Sequence, residues 1–318
     1  TSISFGSSSN FDSGVAVTFS NITFDSSNNK VVIAYKDGNN SNYGTAIVGT
    51  VSGTTISFGT AAIFFSGETE FCSTVFDSSN NKVVIFYREG VTANAGQVNV
   101  GTVSGTSISF GSPVTFNSAR VGFISSAYDT NSGKIVVSYA DYGNSQYGTS
   151  MVGTVSGTTI TFGTPVIFET ATVSDTETVY DSSAQKVVVS YTDGGNSNYG
   201  TLAAGSVSGT GISFDPPLVF EQAASDMIGS CFDSSNNRVV ISYRDQGNSL
   251  KGTGIVYASA STNITAENFI GIASNGYASG QAATINVKGF IDDNQSSLTA
   301  GQSYFVQTNG DLGLTAAD

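Results

Sequence analysis

Residues 31–59 read "VVIAYKDGNNSNYGTAIVGTVSGTTISFG", and the same sentence returns as "VVIFYREGVTANAGQVNVGTVSGTSISFG" at 83–111 and "IVVSYADYGNSQYGTSMVGTVSGTTITFG" at 135–163. The step is 52 residues. Asp25, Asp77, Asp129, Asp181 and Asp233 keep it, as do Tyr35, Tyr87, Tyr139, Tyr191 and Tyr243, so the sequence contains five units. Within a unit, strand a ends at the "FDSSNN" turn, strand b is "KVVIAY", strand c is "TAIVGTV" and strand d is "TISFG" with its apolar continuation. The turns "DSSNN" and "VSGTT" carry the Asn, Ser and Gly that tight hairpins need. Each unit is therefore read as a four-stranded antiparallel meander.

Strand b chooses between architectures. Val31, Ile33 and Tyr35 alternate with Val32 and Ala34, which makes both faces of the sheet apolar and requires cover on both. In a propeller each blade is sandwiched between neighbours, whereas a linear solenoid would need polar caps. The fifth unit stops after strand c at "GTGIVYASA", and an unmatched strand d, "TSISFG", opens the chain. Pairing the two would close a ring. The expected fold is thus an all-β five-bladed propeller over residues 1–259, closed by its N-terminal strand, with a small β-module at 260–318.

Composition excludes several kinds of chemistry. With no His and two Cys at unrelated repeat positions, Cys/His zinc sites and Ser-His-Asp triads are unavailable. Cys72 and Cys231 read as buried apolar fillers. A net charge of -13 disfavours nucleic acid, and no stretch approaches a membrane span. Aspartates 37, 141, 193 and 245 precede Asn and Ser but miss the spacing of a calcium loop, so neither metal nor cofactor is expected.

The last segment, with "ENFIGIAS", "YASGQAATI" and "LTAGQSYFVQTNGDL", resembles a β-module of marine tailed-phage tail-fibre and virion structural proteins. More loosely it is similar to small head-decoration barrels, while residues 1–258 resemble a generic five-bladed propeller. The phage resemblance implies a virion surface or extracellular location beside other virion structural proteins.

The a-to-b and c-to-d turns barely vary, whereas the d-to-a segments do: "SSNFDSGVAVTF", "FSGETEF", "FNSARVGF", "FETATVSD" and "FEQAASDM". Strand parity puts these variable segments, read as loops, on the same face as the b-to-c loops, and variable loops on a rigid scaffold are where binding is sought. Six residues before each recurring Asp stand Phe19, Phe71, Phe123, Asp175 and Met227, expected to ring the channel mouth as a plug or as ligand contacts. Arg120 and Glu177 lie nearby. The amide-rich b-to-c loops place Tyr43, Tyr142, Tyr147 and Tyr199 beside Asn and Gln, a combination that suits sugar hydroxyls or simply makes Asx-turns. The expected function is a non-enzymatic virion surface protein, a tail fibre or capsid decoration, presenting this face to a host-surface glycan or receptor protein. An architectural spacer without ligand is the alternative. A propeller glycosidase is the further rival, disfavoured because Asp175 and Glu177 are the only carboxylates at inner-strand positions and share one blade.

Overall fold

In the computed structural model, residues 4–14 and 16–259 are described, together with four short strand segments beyond them. The chain divides into two units, Thr1–Ser259 and Ala260–Asp318. In the second, Ile272–Ala273 pairs with Ile285–Asn286 and Phe305–Val306 with Leu312–Gly313, both antiparallel. The segment carrying the phage resemblance otherwise lies outside the described residues.

The first unit is all-β and antiparallel. Its opening sheet is β1 (Val17–Asp25), β2 (Lys30–Asp37), β3 (Tyr43–Ser52) and β4 (Thr55–Phe58). Three further repeats follow: β5 (Ala62–Asp77) to β8 (Ser107–Phe110) through β6 (Lys82–Glu89) and β7 (Ala95–Ser104); β9 (Val114–Asp129) to β12 (Thr159–Phe162) through β10 (Lys134–Asp141) and β11 (Tyr147–Ser156); and β13 (Val166–Asp181) to β16 (Gly211–Phe214) through β14 (Lys186–Asp193) and β15 (Tyr199–Ser208). The fifth ends with β17 (Leu218–Asp233), β18 (Arg238–Asp245) and β19 (Lys251–Tyr257). Among the described residues, the 3-10 turn Tyr142–Asn144 is the only helical element.

Both faces of strand b are buried, as its pattern required: Val32, Ile33, Ala34 and Tyr35 are all inaccessible, and so are their counterparts in the next three units. Each recurring Asp holds its own hairpin. Asp25 Oδ1 accepts the Ser27 and Asn28 N–H groups at 2.9 and 3.0 Å, and Asp77, Asp129, Asp181 and Asp233 repeat this arrangement.

The d-to-a segments differ from expectation. Four of the five are not loops but the middle of 16-residue strands, whereas residues 8–14 of the first form no strand ahead of the 9-residue β1. The first half of β5 continues the outer edge by pairing with β3, and the second half becomes the inner strand of the next sheet by pairing with β6. Backbone bonds hold the crossing: the Thr69 N–H donates to the Asn42 carbonyl at 3.2 Å and the Gly90 N–H to the Glu68 carbonyl at 2.8 Å, with equivalents at Val121, Val173 and Ser225. These bonds also put the crossings and the b-to-c loops on one face, as strand parity requires.

Neighbouring inner strands pack through short side chains. Asn21 accepts from the Thr74 N–H at 2.8 Å, Ser73 bonds Ser126 at 2.9 Å, and the Thr178 N–H donates to Ser125 at 2.9 Å. An aromatic triad staples each of the first three sheets to the next. Phe64 lies 5.0 Å from Tyr87 and 5.9 Å from Phe110, and Phe116–Tyr139–Phe162 and Phe168–Tyr191–Phe214 repeat the pattern.

The series is not closed. Among the described residues β19 pairs only with β18, residues 4–14 form no strand, and Phe5 is 91% exposed. Cys231 is exposed rather than buried, because it lies on the uncovered face of the fifth sheet; Cys72 is buried as expected.

Candidate functional site

Each inner strand carries a bulge at one repeat position. Pairing shifts between Thr18 and Asn21, Glu70 and Ser73, Ser174 and Glu177, and Asp226 and Gly229, and β9 shifts at the matching place. The residues at the bulge are the five singled out from sequence: Phe19 (φ 51°), Phe71 (φ 51°), Phe123 (φ 49°), Asp175 (φ 48°) and Met227 (φ 51°). All are left-handed, a conformation that costs an L-residue roughly 1–2 kcal/mol. Glycine is the usual occupant of such a bulge, and here it is absent from all five.

The bulges bring side chains together. Phe19 and Phe71 rings lie 5.3 Å apart, and Phe71 and Phe123 lie 5.4 Å apart. Asp175 continues the series and accepts a hydrogen bond from the Met227 N–H. Met227 is largely exposed and Phe19 partly so. If the backbone is strained here, replacing Phe123 by Gly should leave the protein about 1 kcal/mol more stable than replacing it by Ala, reversing their usual order in a strand. Urea unfolding of both variants checks this.

Charged groups border the series from strand b. Lys36 pairs with Glu68 at 2.6 Å and approaches Glu70 at 3.9 Å, while its ammonium lies 5.9 Å from the Phe19 ring centre. Arg88 pairs with Glu70, donates to the Val121 carbonyl at 3.2 Å and stacks 4.7 Å over Phe71. Arg244 forks onto Asp226 with bonds of 2.6 and 2.5 Å. These three cations follow directly after the recurring Tyr, a position at which sequence reasoning did not look.

The two inner carboxylates behave differently from those pairs. Burial and the neighbouring Asp226 charge raise Asp175, against the pull of Arg244. Burial pushes Glu177 up to about 7, opposed by the Ser125 hydroxyl. Among the described residues Glu177 has no ion-pair partner.

The other sequence candidates lie away from this series. Arg120 stacks 4.3 Å over Tyr142, so its cation is engaged within the fold. Tyr43, Tyr147 and Tyr199 begin β3, β11 and β15 and are half-buried. Asp37, Asp141, Asp193 and Asp245 cap their loops by accepting backbone N–H groups, for example Asn39 at 2.9 Å and Gly143 at 3.0 Å. In the second unit Glu89 takes that role. Burial works to raise its pKa, but bonds from Thr92, Ala93 and Ala95 outweigh it and bring the carboxyl down to about 2. Replacing Glu89 by Gln should therefore remove stability that is present above the ordinary carboxylate range and lost as pH falls through about 2. Melting at pH 7 and pH 2 measures it: the variant should be the less stable at pH 7, and the gap should shrink at pH 2.

No protein-family model matches this chain, and no curated protein does. Solved structures are similar to it. A protein of unknown function from Dyadobacter fermentans DSM 18053 aligns with 76% of this chain and 79% of its own, at 13% identity and a TM-score of 0.55, a likeness of fold. Exo-β-1,3-galactanase from Phanerochaete chrysosporium aligns with 75% of this chain and 59% of its own, at 14% identity and TM-scores of 0.44 and, with bound galactose, 0.45. With a glycoside hydrolase among these structures, the expectation that the chain is not an enzyme is corrected and is not carried forward.

Proposed function

We propose that the five units are the blades of a five-bladed β-propeller, closed through the N-terminal strand, that is carried on a virion surface and binds a host-surface glycan or receptor protein at its inner ring. The observation that carries the binding reading is the in-register series Phe19, Phe71, Phe123, Asp175 and Met227, each held left-handed. Strain repeated at one position is a feature of sites rather than of plain cores. A run of phenyl faces ending at a carboxylate suits a saccharide ring, whose C–H face stacks while its hydroxyls donate to Asp175. Lys36, Arg88 and Arg244 add donors around the rim.

The virion location is supported by the resemblance of residues 260–318 to phage modules. It is tested by imaging the chain in its native assembly, where labelling of a capsid or tail is expected. The binding reading is tested on a panel of host-surface saccharides, with retention and product release followed together. Replacing Phe71 and Phe123 jointly by Ala should weaken retention at least tenfold, about 1.4 kcal/mol, while changes in the "VSGT" turns leave it intact. Equal retention by the double variant would remove the inner ring as the site. Product release by the parent chain that is lost in Asp175→Asn would assign the same site a hydrolytic step.

A further inference from the structure

The aromatic triads show what the fifth sheet lacks. In four successive sets a Phe ahead of the inner strand meets the recurring Tyr and a Phe of strand d: Phe11–Tyr35–Phe58 at 5.2 and 5.9 Å, with Phe11 outside any strand, then the sets built on Phe64, Phe116 and Phe168 of the outer strands. The fifth has Phe220 and Tyr243 at 5.2 Å and no third ring among the described residues. Phe5 occupies the strand-d position of the repeat and is 91% exposed.

The residue after it is already seated. A Cβ added to Gly6 would overlap the Thr54 carbonyl, just as one on Gly59, Gly111 or Gly163 would overlap Thr106, Thr158 or Thr210. Gly6 and Phe11 thus meet the first sheet, Gly6 as the glycine after each strand d meets the sheet that follows. The faces on either side are matched and bare. Val256 is 60% exposed where Val48 is 0%, and Val51 is 53% exposed where Val103 is 7%. Ile22 and Phe24 of the first sheet are exposed as well.

One residue departs from the pattern. Gly49, Gly101, Gly153 and Gly205 each pair with the Phe of strand d, which lies over the glycine. In the fifth sheet that position is Tyr257. A side chain there competes for the space into which the ring must fold.

We infer that Phe5 is a latch for the free edge of β19, supplying the third ring on Phe220 and Tyr243, with Tyr257 keeping the latch weak, so that the ring opens and closes at this seam. This rests on the ring-closure reading above. The seam bears on the site, because Phe19 and Lys36 belong to the first sheet and Met227, Asp226 and Arg244 to the fifth. Only the closed state sets them side by side. A ligand that spans both sheets would therefore favour closure.

The test uses the exposed Cys231. Inner strands meet at a fixed offset, residue 21 with 74 and 73 with 126. Carried across the seam, that offset puts Cys231 opposite Phe24. In the full chain carrying Phe24→Cys, or Ile22→Cys should the first fail to fold, a short bismaleimide should link the introduced thiol to Cys231 within one chain; Cys72 is buried and its thiol is pushed up to about 12. Adding Phe5→Ala should slow linkage at least tenfold, Tyr257→Gly should speed it, and the gain should vanish when both are combined. A rate unchanged by Phe5→Ala, or lowered by Tyr257→Gly, overturns the latch while leaving the ring standing. No linkage in any variant overturns the ring and the latch together. Linkage only between two chains would assign the edge of β19 to a second copy and overturn the inference.

Discussion

Replacing Phe116 by Ala is expected to cost about 3–5 kcal/mol, the largest effect of any single substitution proposed for this molecule. Phe116 lies on the outer part of β9, so it belongs to one sheet, where it is 5.7 Å from Phe86, while packing into the next, 5.2 Å from Tyr139 and 6.1 Å from Phe162. Gly96 leaves the space its ring fills. The cavity could not collapse, because the residues around it are strand positions fixed by pairing on both sides. Phe220→Ala gives the contrast. Phe220 has one ring partner among the described residues and packs onto the least covered sheet, so its loss should cost about half as much or less. Denaturant unfolding of both variants measures the difference. Equal losses would mean that the triads do not act as staples between sheets.

The strands were legible because the repeat supplied five readings of each. Alternation alone leaves "VVIAY" open to several interpretations, but the same pattern between the same turn residues at every step admits only one. The crossings were misread for a physical reason. "FSGETEF" varies between units and carries Gly, Ser and charge, which are loop signals, yet its backbone bonds to the neighbouring b-to-c loop and does not depend on which side chains it bears. Side-chain variability says little about a segment held by its main chain. The charges in these segments also proved engaged rather than free: Glu169 and Glu221 accept the hydroxyls of Tyr191 and Tyr243 at 3.0 and 2.8 Å.

The site was legible in its positions but not in its geometry. Counting six residues back from each Asp found Phe19, Phe71, Phe123, Asp175 and Met227, but nothing in those residue types announces a left-handed backbone, which Asn or Gly would have signalled. The cations were missed because Ala140 and Thr192 interrupt Lys36, Arg88 and Arg244 at the same repeat position, so no charged column stands out. Closure of the ring was read from an unmatched strand alone. Tyr257, the residue that bears on whether that strand can settle, stood out only once the glycines beneath the other strands had been located.

Glu177→Gln should flatten the stability profile between about pH 4.5 and 7 and leave the protein more stable at pH 8, by an amount on the order of 2 kcal/mol. Burial raises this carboxyl to about 7, the Ser125 hydroxyl offsets only part of that rise, and the described residues provide no cation against it. The sign follows from the direction. A carboxyl raised in the folded state holds its proton more tightly there than in the unfolded chain, so its contribution is fully present below the ordinary glutamate range and is lost as pH rises through about 7. Glutamine keeps the shape without the ionisation. The equivalent residues in the other sheets are Asn21, Ser73, Ser125 and Gly229, all neutral, so the fold itself does not require a charge at this position. Asp175, raised in the same direction and two residues away, remains in the variant and leaves a residual slope that Asp175→Asn should remove. Thermal melts from pH 4 to 8 separate the two. A slope unchanged in Glu177→Gln would mean that the carboxyl is ionised throughout and that a cation or solvent reaches it between the inner strands.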